Sequence, residues 1–168
     1  MDEGLTERLL AFLRANDADV QVLRHQPVRT SEEAAQVRGT ALEQGAKALV
    51  FQADEQTLLL VLQAHRRVDT RAFKRAAGVK NLRMISPEDL LQRTGLEVGA
   101  VPPFGHLIGF PTYVDERLLA LPRIAFNAGS RSTSVLLATT DFVRLEQPVV
   151  GRFAADDVPG DTSAAAQR

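Results

Sequence analysis

The stretch "EQGAKALVFQ", Glu43 to Gln52, places one lysine at the entrance of an otherwise apolar run. In an extended chain, side chains alternate between faces. Lys47 therefore shares a face with Leu49 and Phe51, and Ala46, Ala48 and Val50 share the other. A buried amine without a partner is driven towards its neutral form, so an inward Lys47 requires a partner or a ligand. The flanking alanines leave space around it. Two readings follow: a strand-end lysine whose amine reaches water, or an amine that holds an anionic or polar ligand at the mouth of a pocket.

Three further stretches carry polar or basic groups in suggestive patterns. In "VPPFGHLIG" two prolines stiffen the chain ahead of Gly105, and His106 follows. Such a loop either aims backbone N–H groups at an oxygen or forms a rigid turn. "FNAGSRSTS" gathers Asn127, Gly129, Ser130, Ser132, Thr133 and Ser134 between two apolar runs. A turn of that composition binds phosphate or a carbonyl, or merely closes a hairpin. "RRVDTRAFKRAAGVKNLR" sets Arg66, Arg67, Arg71, Lys74, Arg75, Lys80 and Arg83 against the single acid Asp69. That excess suits either a phosphate backbone or a solvated helix face. Phe73 falls on the apolar phase of this helix, which argues against base stacking there.

Composition narrows the chemistry. There are no cysteines, which excludes disulfides, thiolate metal sites and a cysteine nucleophile. His25, His65 and His106 are too dispersed for any familiar metal spacing. No GxSxG, P-loop or GxGxxG pattern occurs. The formal net charge of −1 gives no global field for nucleic acid or membrane, so any basic surface is local. The acidic start "MDEGLTERLL" lacks the layout of a signal peptide, and the apolar runs are too short to span a bilayer. A cytoplasmic protein is the expectation.

These residues must be positioned by local elements. "LTERLLAFLRAN" has helical apolar spacing, and "VQVLRHQPV" reads as a strand ended by Pro27. Thr30 and Glu33 form a capping-box pattern for a helix over about 31–38 that stops at Gly39. "AKALVFQ" and "TLLLVLQA" predict a hairpin covered on both faces. Asp69 and Gly78 bracket one helix; Ser86, Pro87 and Gly95 mark another. "VKNLRMI" is a short strand, and "GAVPPFGHLIGF" a loop running into an apolar strand. "TYVDERLLAL" is a strand, a turn and an apolar stretch; "RIAFNAG" and "STSVLLA" are two strands joined by a small-residue turn. Thr140 is a candidate cap for one helical turn in "TTDFVRL". From about Pro148 the small, polar composition reads as a loose tail. The expectation is therefore one α+β domain over 1–150, a tail over 151–168, and a curved, largely antiparallel or mixed sheet or partial barrel flanked by helices.

Taken in order, "GAKALVF", the basic segment, "GAVPPFGH", "FNAGSRSTSVLL" and "DFVRL" resemble the YbaK/prolyl-tRNA synthetase-associated editing domain family over roughly 22–145. The resemblance implies free-standing hydrolysis of the ester joining a wrong amino acid to tRNA, with tRNA(Pro) a frequent carrier. It implies no metal or organic cofactor. Its partners are mischarged tRNA and an aminoacyl-tRNA synthetase. It puts Lys47 and Gly105 in catalysis and Thr30, Ala48, Phe104, His106, Asn127, Gly129 and Ser134 around the substrate. Arg66, Arg67, Arg71, Lys74 and Arg75 become the expected tRNA contact. The chain departs from the family at Ala48, where Asn or Thr is common, and at Ser134, where some members carry Asp. The departures keep a non-catalytic binding module as the rival reading, and a hydrolase of small esters as a third.

Overall fold

The computed structural model describes residues 3–156. Helix α1 (Glu3–Ala15) buries Leu5, Leu9, Leu10 and Leu13. Strand β1 (Val20–Arg24) leads to α2 (Ser31–Arg38). The α2 capping box is formed: the Glu33 N–H donates to Thr30 Oγ1, and Glu33 Oε1 accepts from the Thr30 N–H. Gly39 closes the helix at φ +70°. A 3-10 turn (Leu42–Gln44) then feeds the hairpin of β2 (Ala46–Ala53) and β3 (Gln56–Gln63), whose register runs from Ala46↔Gln63 to Ala53↔Gln56. Asp69 caps α3 (Thr70–Ala77) through the Ala72 N–H.

After β4 (Leu82–Met84), α4 (Pro87–Thr94) starts on the Ser86 cap. A loop and a 3-10 turn (Gly105–Ile108) reach β5 (Thr112–Asp115). The one-turn α5 (Glu116–Leu119) precedes β6 (Arg123–Asn127) and β7 (Thr133–Ala138). Helix α6 (Thr139–Glu146) and β8 (Val149–Gly151) follow.

The strands form two sheets, not a barrel. One is antiparallel in the order β1-β7-β6; the other is mixed in the order β4-β2-β3-β5-β8. The β3–β5 and β5–β8 pairs are parallel. A single bridge, Gly45↔Ala125, ties the sheets together where β2 begins. The expected two-sided cover of the hairpin is present. Ala46, Val50, Leu59 and Val61 join the core shared with α1, β6 and β7. Leu49, Phe51, Leu58, Leu60 and Leu62 join a second core with Phe73 and Phe153.

Four local expectations are corrected. Residues 149–156 are not loose: β8 pairs with β5, and Phe153 and Ala154 are buried. The Asp115 carboxylate, fully buried, accepts the N–H groups of Phe153 at 2.8 Å and Ala154 at 2.7 Å. A buried carboxylate satisfied by main-chain donors is a strong local anchor, and it is formed across 38 residues of sequence. The proposed tail from 157 to 168 lies outside the described residues. The "HLIGF" stretch is a 3-10 turn ended by Gly109 rather than a strand. The "ERLL" of the stretch after β5 is helical, not a simple turn. Thr140 does not cap α6: the helix already includes Thr139, and no side chain caps Ala138.

Phe153 sits edge-on or tilted against Phe73 and Tyr113. Phe153→Ala is expected to cost about 3–5 kcal/mol, as large-to-small core changes do. In urea titration the midpoint should fall with an unchanged slope; a midpoint equal to wild type would show that this segment carries no core packing.

Candidate active site

The bridge between the sheets creates a cavity of about 260 Å³ where β2 begins. Its wall takes Lys47 and Ala48 from β2, Thr30 and Arg38 from either end of α2, Gly99 and Val101 from the loop after α4, and Asn127 from the end of β6. Lys47 is half-buried. Among the described residues that line it, Arg29, Arg38, Lys47 and Arg131 are cationic and none is acidic. Arg131 pairs with Glu97 at 2.9 Å, outside the lining. A concave wall rich in cations raises the local concentration of anionic groups, because the low-dielectric surroundings focus the field.

A second, apolar recess of about 310 Å³ adjoins it and shares Ala48, Leu49, Val98, Gly99 and Val101. Met84, Ile85, Pro87 and Leu90 complete its wall. Anionic groups on one side and a flat apolar body on the other would fit this pair of compartments.

Behind the cationic wall lies a hydrogen-bonded network. Arg38, 9% exposed, donates from Nε to Ser134 Oγ at 2.9 Å and from Nη2 to Asn127 Oδ1 at 3.0 Å. Burial lowers the Arg38 pKa to about 10, so it stays charged at neutral pH. His25 Nε2 lies 2.7 Å from Ser134 Oγ, and its Nδ1 is 2.8 Å from the Gln26 carbonyl. With Nδ1–H donating to that carbonyl, Nε2 accepts the Ser134 hydroxyl proton. These are the distances of a serine nucleophile and its base. Yet Ser134 is fully buried and lies outside the cavity lining, so no substrate reaches it.

The loop that rims the cavity is pinned to the β6–β7 bend. Asn127 Nδ2 donates to the Gly99 carbonyl at 2.7 Å, and the Gly129 N–H donates to the Ala100 carbonyl at 2.8 Å. Gly99 holds φ at +89°, where a side chain would be strained. In a trans peptide the C=O and the following N–H point opposite ways. With the Ala100 carbonyl turned to the bend, the Val101 N–H is turned away from it. That N–H has no hydrogen-bond partner among the described residues, although Val101 is only 5% exposed. Pro102 and Pro103 follow and offer no N–H.

The sequence profile of the aminoacyl-tRNA editing domain matches residues 25–145. The chain belongs to the aminoacyl-tRNA editing domain family. It is 36% identical over 152 residues to the multifunctional Ser/Thr-tRNA deacylase ProXp-y of Escherichia coli (strain K12), covering 88% of this chain and 91% of that one. It is 30% identical over 90 residues to a proline–tRNA ligase of Thermosipho melanesiensis, covering 53% of this chain and 16% of the ligase. A crystal structure assigned as a candidate trans-editing enzyme for prolyl-tRNA synthetase superposes with a TM-score of 0.79 at 27% identity, covering 93% of this chain and all of the other.

Within this editing domain the sequence-derived residues divide. Lys47, Ala48, Thr30 and Asn127 converge on the cavity. The Thr30 hydroxyl is already engaged in capping α2. Gly129 pins the rim from behind, and Ser134 belongs to the buried network.

Phe104, Gly105 and His106 lie outside the lining. Phe104 is a core residue packed edge-on against Phe142. The Gly105 N–H donates to Thr112 Oγ1 at 3.0 Å, and its carbonyl accepts from Phe110. His106 Nδ1 donates to the buried Glu146 carboxylate at 2.5 Å, which also accepts from Thr112 Oγ1. This trio ties the end of α6 to the Gly105 turn. The glycine of this loop that lines the cavity is Gly99, four residues ahead of Pro103.

Arg38, Arg29, Arg131 and Val101 were not singled out from the sequence. Arg38 in the last turn of a short helix reads as an ordinary solvated cation. Among the basic residues, Arg71 and Arg75 are exposed on α3, and Lys74 joins them around a shallow depression. Arg66 donates from Nε to Gln63 Oε1 at 2.6 Å. It stands with Arg67 just beyond Ala64, which lines the cavity. No group of three or more His, Asp or Glu among the described residues converges to hold a metal ion. No helix among them is long and apolar enough to cross a membrane.

A Cβ on Gly105 would lie 2.3 Å from the Phe110 carbonyl oxygen and 2.4 Å from Thr112 Oγ1. Gly105→Ala should therefore destabilise the fold by about 1–3 kcal/mol, the usual cost of overpacking. Thermal unfolding measures it; an unchanged melting temperature would mean that this turn tolerates a side chain and that Gly105 is retained for another reason.

Proposed function

We propose that this protein is a free-standing aminoacyl-tRNA deacylase that hydrolyses the ester of a mischarged tRNA, with serine and threonine as the first esters to test. The observation that carries the reading is the cavity at Lys47, lined among the described residues by four cations and no acid. The acceptor end of a charged tRNA combines phosphates, a nucleobase and an ester. The cations suit the phosphates, the adjoining apolar recess suits the terminal base, and the ester carbonyl falls between them. The editing-domain family and the named activity of the Escherichia coli relative support the same chemistry.

In the mechanism, water attacks the ester carbonyl carbon and the bond to the ribose oxygen breaks. The products are a free amino acid and an intact tRNA end. The Lys47 ammonium and the Val101 N–H stabilise the negative charge that develops on the carbonyl oxygen. The neighbouring ribose hydroxyl helps the water lose its proton. An ester needs less activation than an amide, so orientation and oxyanion stabilisation suffice. Arg29 and Arg131 receive the terminal phosphate. The basic segment with Arg66, Arg67, Arg71, Lys74 and Arg75 extends the contact along the tRNA backbone. A cytoplasmic site of action, and tRNA(Pro) as a carrier, belong to the same proposal.

The test uses Ser-, Thr-, Ala- and Cys-charged tRNA(Pro) together with cognate Pro-tRNA(Pro). Wild type should release at least one noncognate amino acid, and Lys47→Ala should lower kcat by about 10²–10³-fold, the usual effect of removing one oxyanion donor. Binding should weaken steeply with salt, since each neutralised phosphate adds about 0.7–0.9 to the log–log slope. Retention of every charged tRNA without ester loss would assign a binding module instead. Hydrolysis of small esters with no salt dependence would assign a hydrolase outside tRNA chemistry.

A further inference from the structure

The proposed reaction uses Lys47 and Val101 and leaves the most buried cation of the cavity wall unexplained. Arg38 touches two neutral acceptors, Ser134 Oγ and Asn127 Oδ1, and no carboxylate pairs with it among the described residues. A guanidinium taken out of water and met only by neutral oxygens is costly to keep. Apolar side chains of similar volume would fill the same space without that cost.

What Arg38 supplies is a direction. The oxygen and nitrogen ends of an Asn amide have nearly the same size, so shape does not decide which way the amide turns. Asn127 stands between Arg38 and the Gly99 carbonyl. Arginine only donates, and a carbonyl only accepts. A single amide orientation therefore satisfies both neighbours: Oδ1 towards Arg38 and Nδ2 towards Gly99. The bond from Arg38 Nε to Ser134 fixes the guanidinium plane, and His25 holds Ser134 from the other side. Without Arg38 the amide keeps only the Gly99 carbonyl and a long contact from Ser134 Oγ at 3.4 Å to hold it, and any turn that brings its oxygen towards the Gly99 carbonyl would push the rim away.

We propose that Arg38 is a positioning residue: through the Asn127 amide it locks the Gly99–Val101 rim and so presents the Val101 N–H to the reacting carbonyl. This rests on the deacylase reading above. Arg38 does not touch the reacting atoms in this scheme. Its loss should lower kcat and leave KM, set by the phosphate contacts, largely intact.

The experiment compares wild type, Arg38→Met, Arg38→Lys, Asn127→Ala and the double variant R38M/N127A on the charged tRNA that wild type cleaves. Hydrogen exchange of the Gly129 amide, which donates to the Ala100 carbonyl, is followed in parallel. Arg38→Met and Asn127→Ala should each lower kcat on the order of 10²-fold, as a misplacement near 1 Å does. KM should stay within about threefold, the mark of an interaction made only in the transition state. The double variant should be no slower than the worse single variant, because both act through one contact. Gly129 exchange should quicken in Arg38→Met. Arg38→Lys keeps the charge but not the two-pronged fork, so it should also lose kcat; it decides the matter if Arg38→Met does not fold.

A rise in KM with kcat retained would make Arg38 a phosphate ligand and overturn the proposal. So would multiplying losses in the double variant, wild-type kcat in Arg38→Lys, or unchanged Gly129 exchange. If wild type cleaves no charged tRNA, the deacylase reading fails by itself, and the exchange of Gly129 still decides whether Arg38 locks the rim.

Discussion

The β2–β3 ladder is the constraint on which the site depends. Both its faces are buried, and the two faces of β2 are unlike: Leu49 and Phe51 enter one core while Ala48 and Val50 face the other. A slip of one residue would exchange large for small on both sides at once and carry Lys47 to the opposite face. Neither core would accept the exchange at native packing density. The position of the lysine is thus a consequence of packing several residues away from it. The Gly45↔Ala125 bridge adds the second coordinate by bringing β6 and its terminal Asn127 to the place where β2 begins.

Burying the Arg38 guanidinium in the cavity wall is unfavourable for the empty protein. Arg38 loses hydration there, and shows that loss in its lowered pKa. The fold tolerates the arrangement because the network behind it is otherwise satisfied.

Local chemistry was legible in the sequence. The caps at Thr30, Asp69 and Ser86 each act within three residues, so residue type and spacing suffice to find them. The hairpin was legible because its apolar runs are long and its connection short. Lys47 stood out because it breaks such a run. Arg38 and Gly99 did not stand out, because their roles depend on partners 89 and 28 residues away in Asn127. Gly105 drew attention through its prolines. Its neighbours Phe110 and Thr112 explain it by close packing, which no spacing rule reveals. Phe153 was missed because one aromatic in a small, polar stretch carries no periodicity, whereas the buried Asp115 beneath it supplies the anchor.

The engaged hydroxyls around the cavity bear on which reaction this scaffold can run. Thr30 Oγ1 caps α2, Ser130 and Ser132 bond each other, and Ser134 is enclosed by Arg38 and His25. The chain has no cysteine. A protein nucleophile would have to be exposed to substrate and activated by a base; Ser134 has the base but lacks the exposure, and Ser31 lines the cavity but no base is hydrogen-bonded to it among the described residues. The hydroxyl that must attack is then water's, and the protein's part is to hold the ester carbonyl against fixed donors. That division of labour places the demand on the rigidity of the rim. It explains why the loop carrying Val101 is fastened at two successive carbonyls, Gly99 and Ala100, and stiffened by two prolines immediately after them.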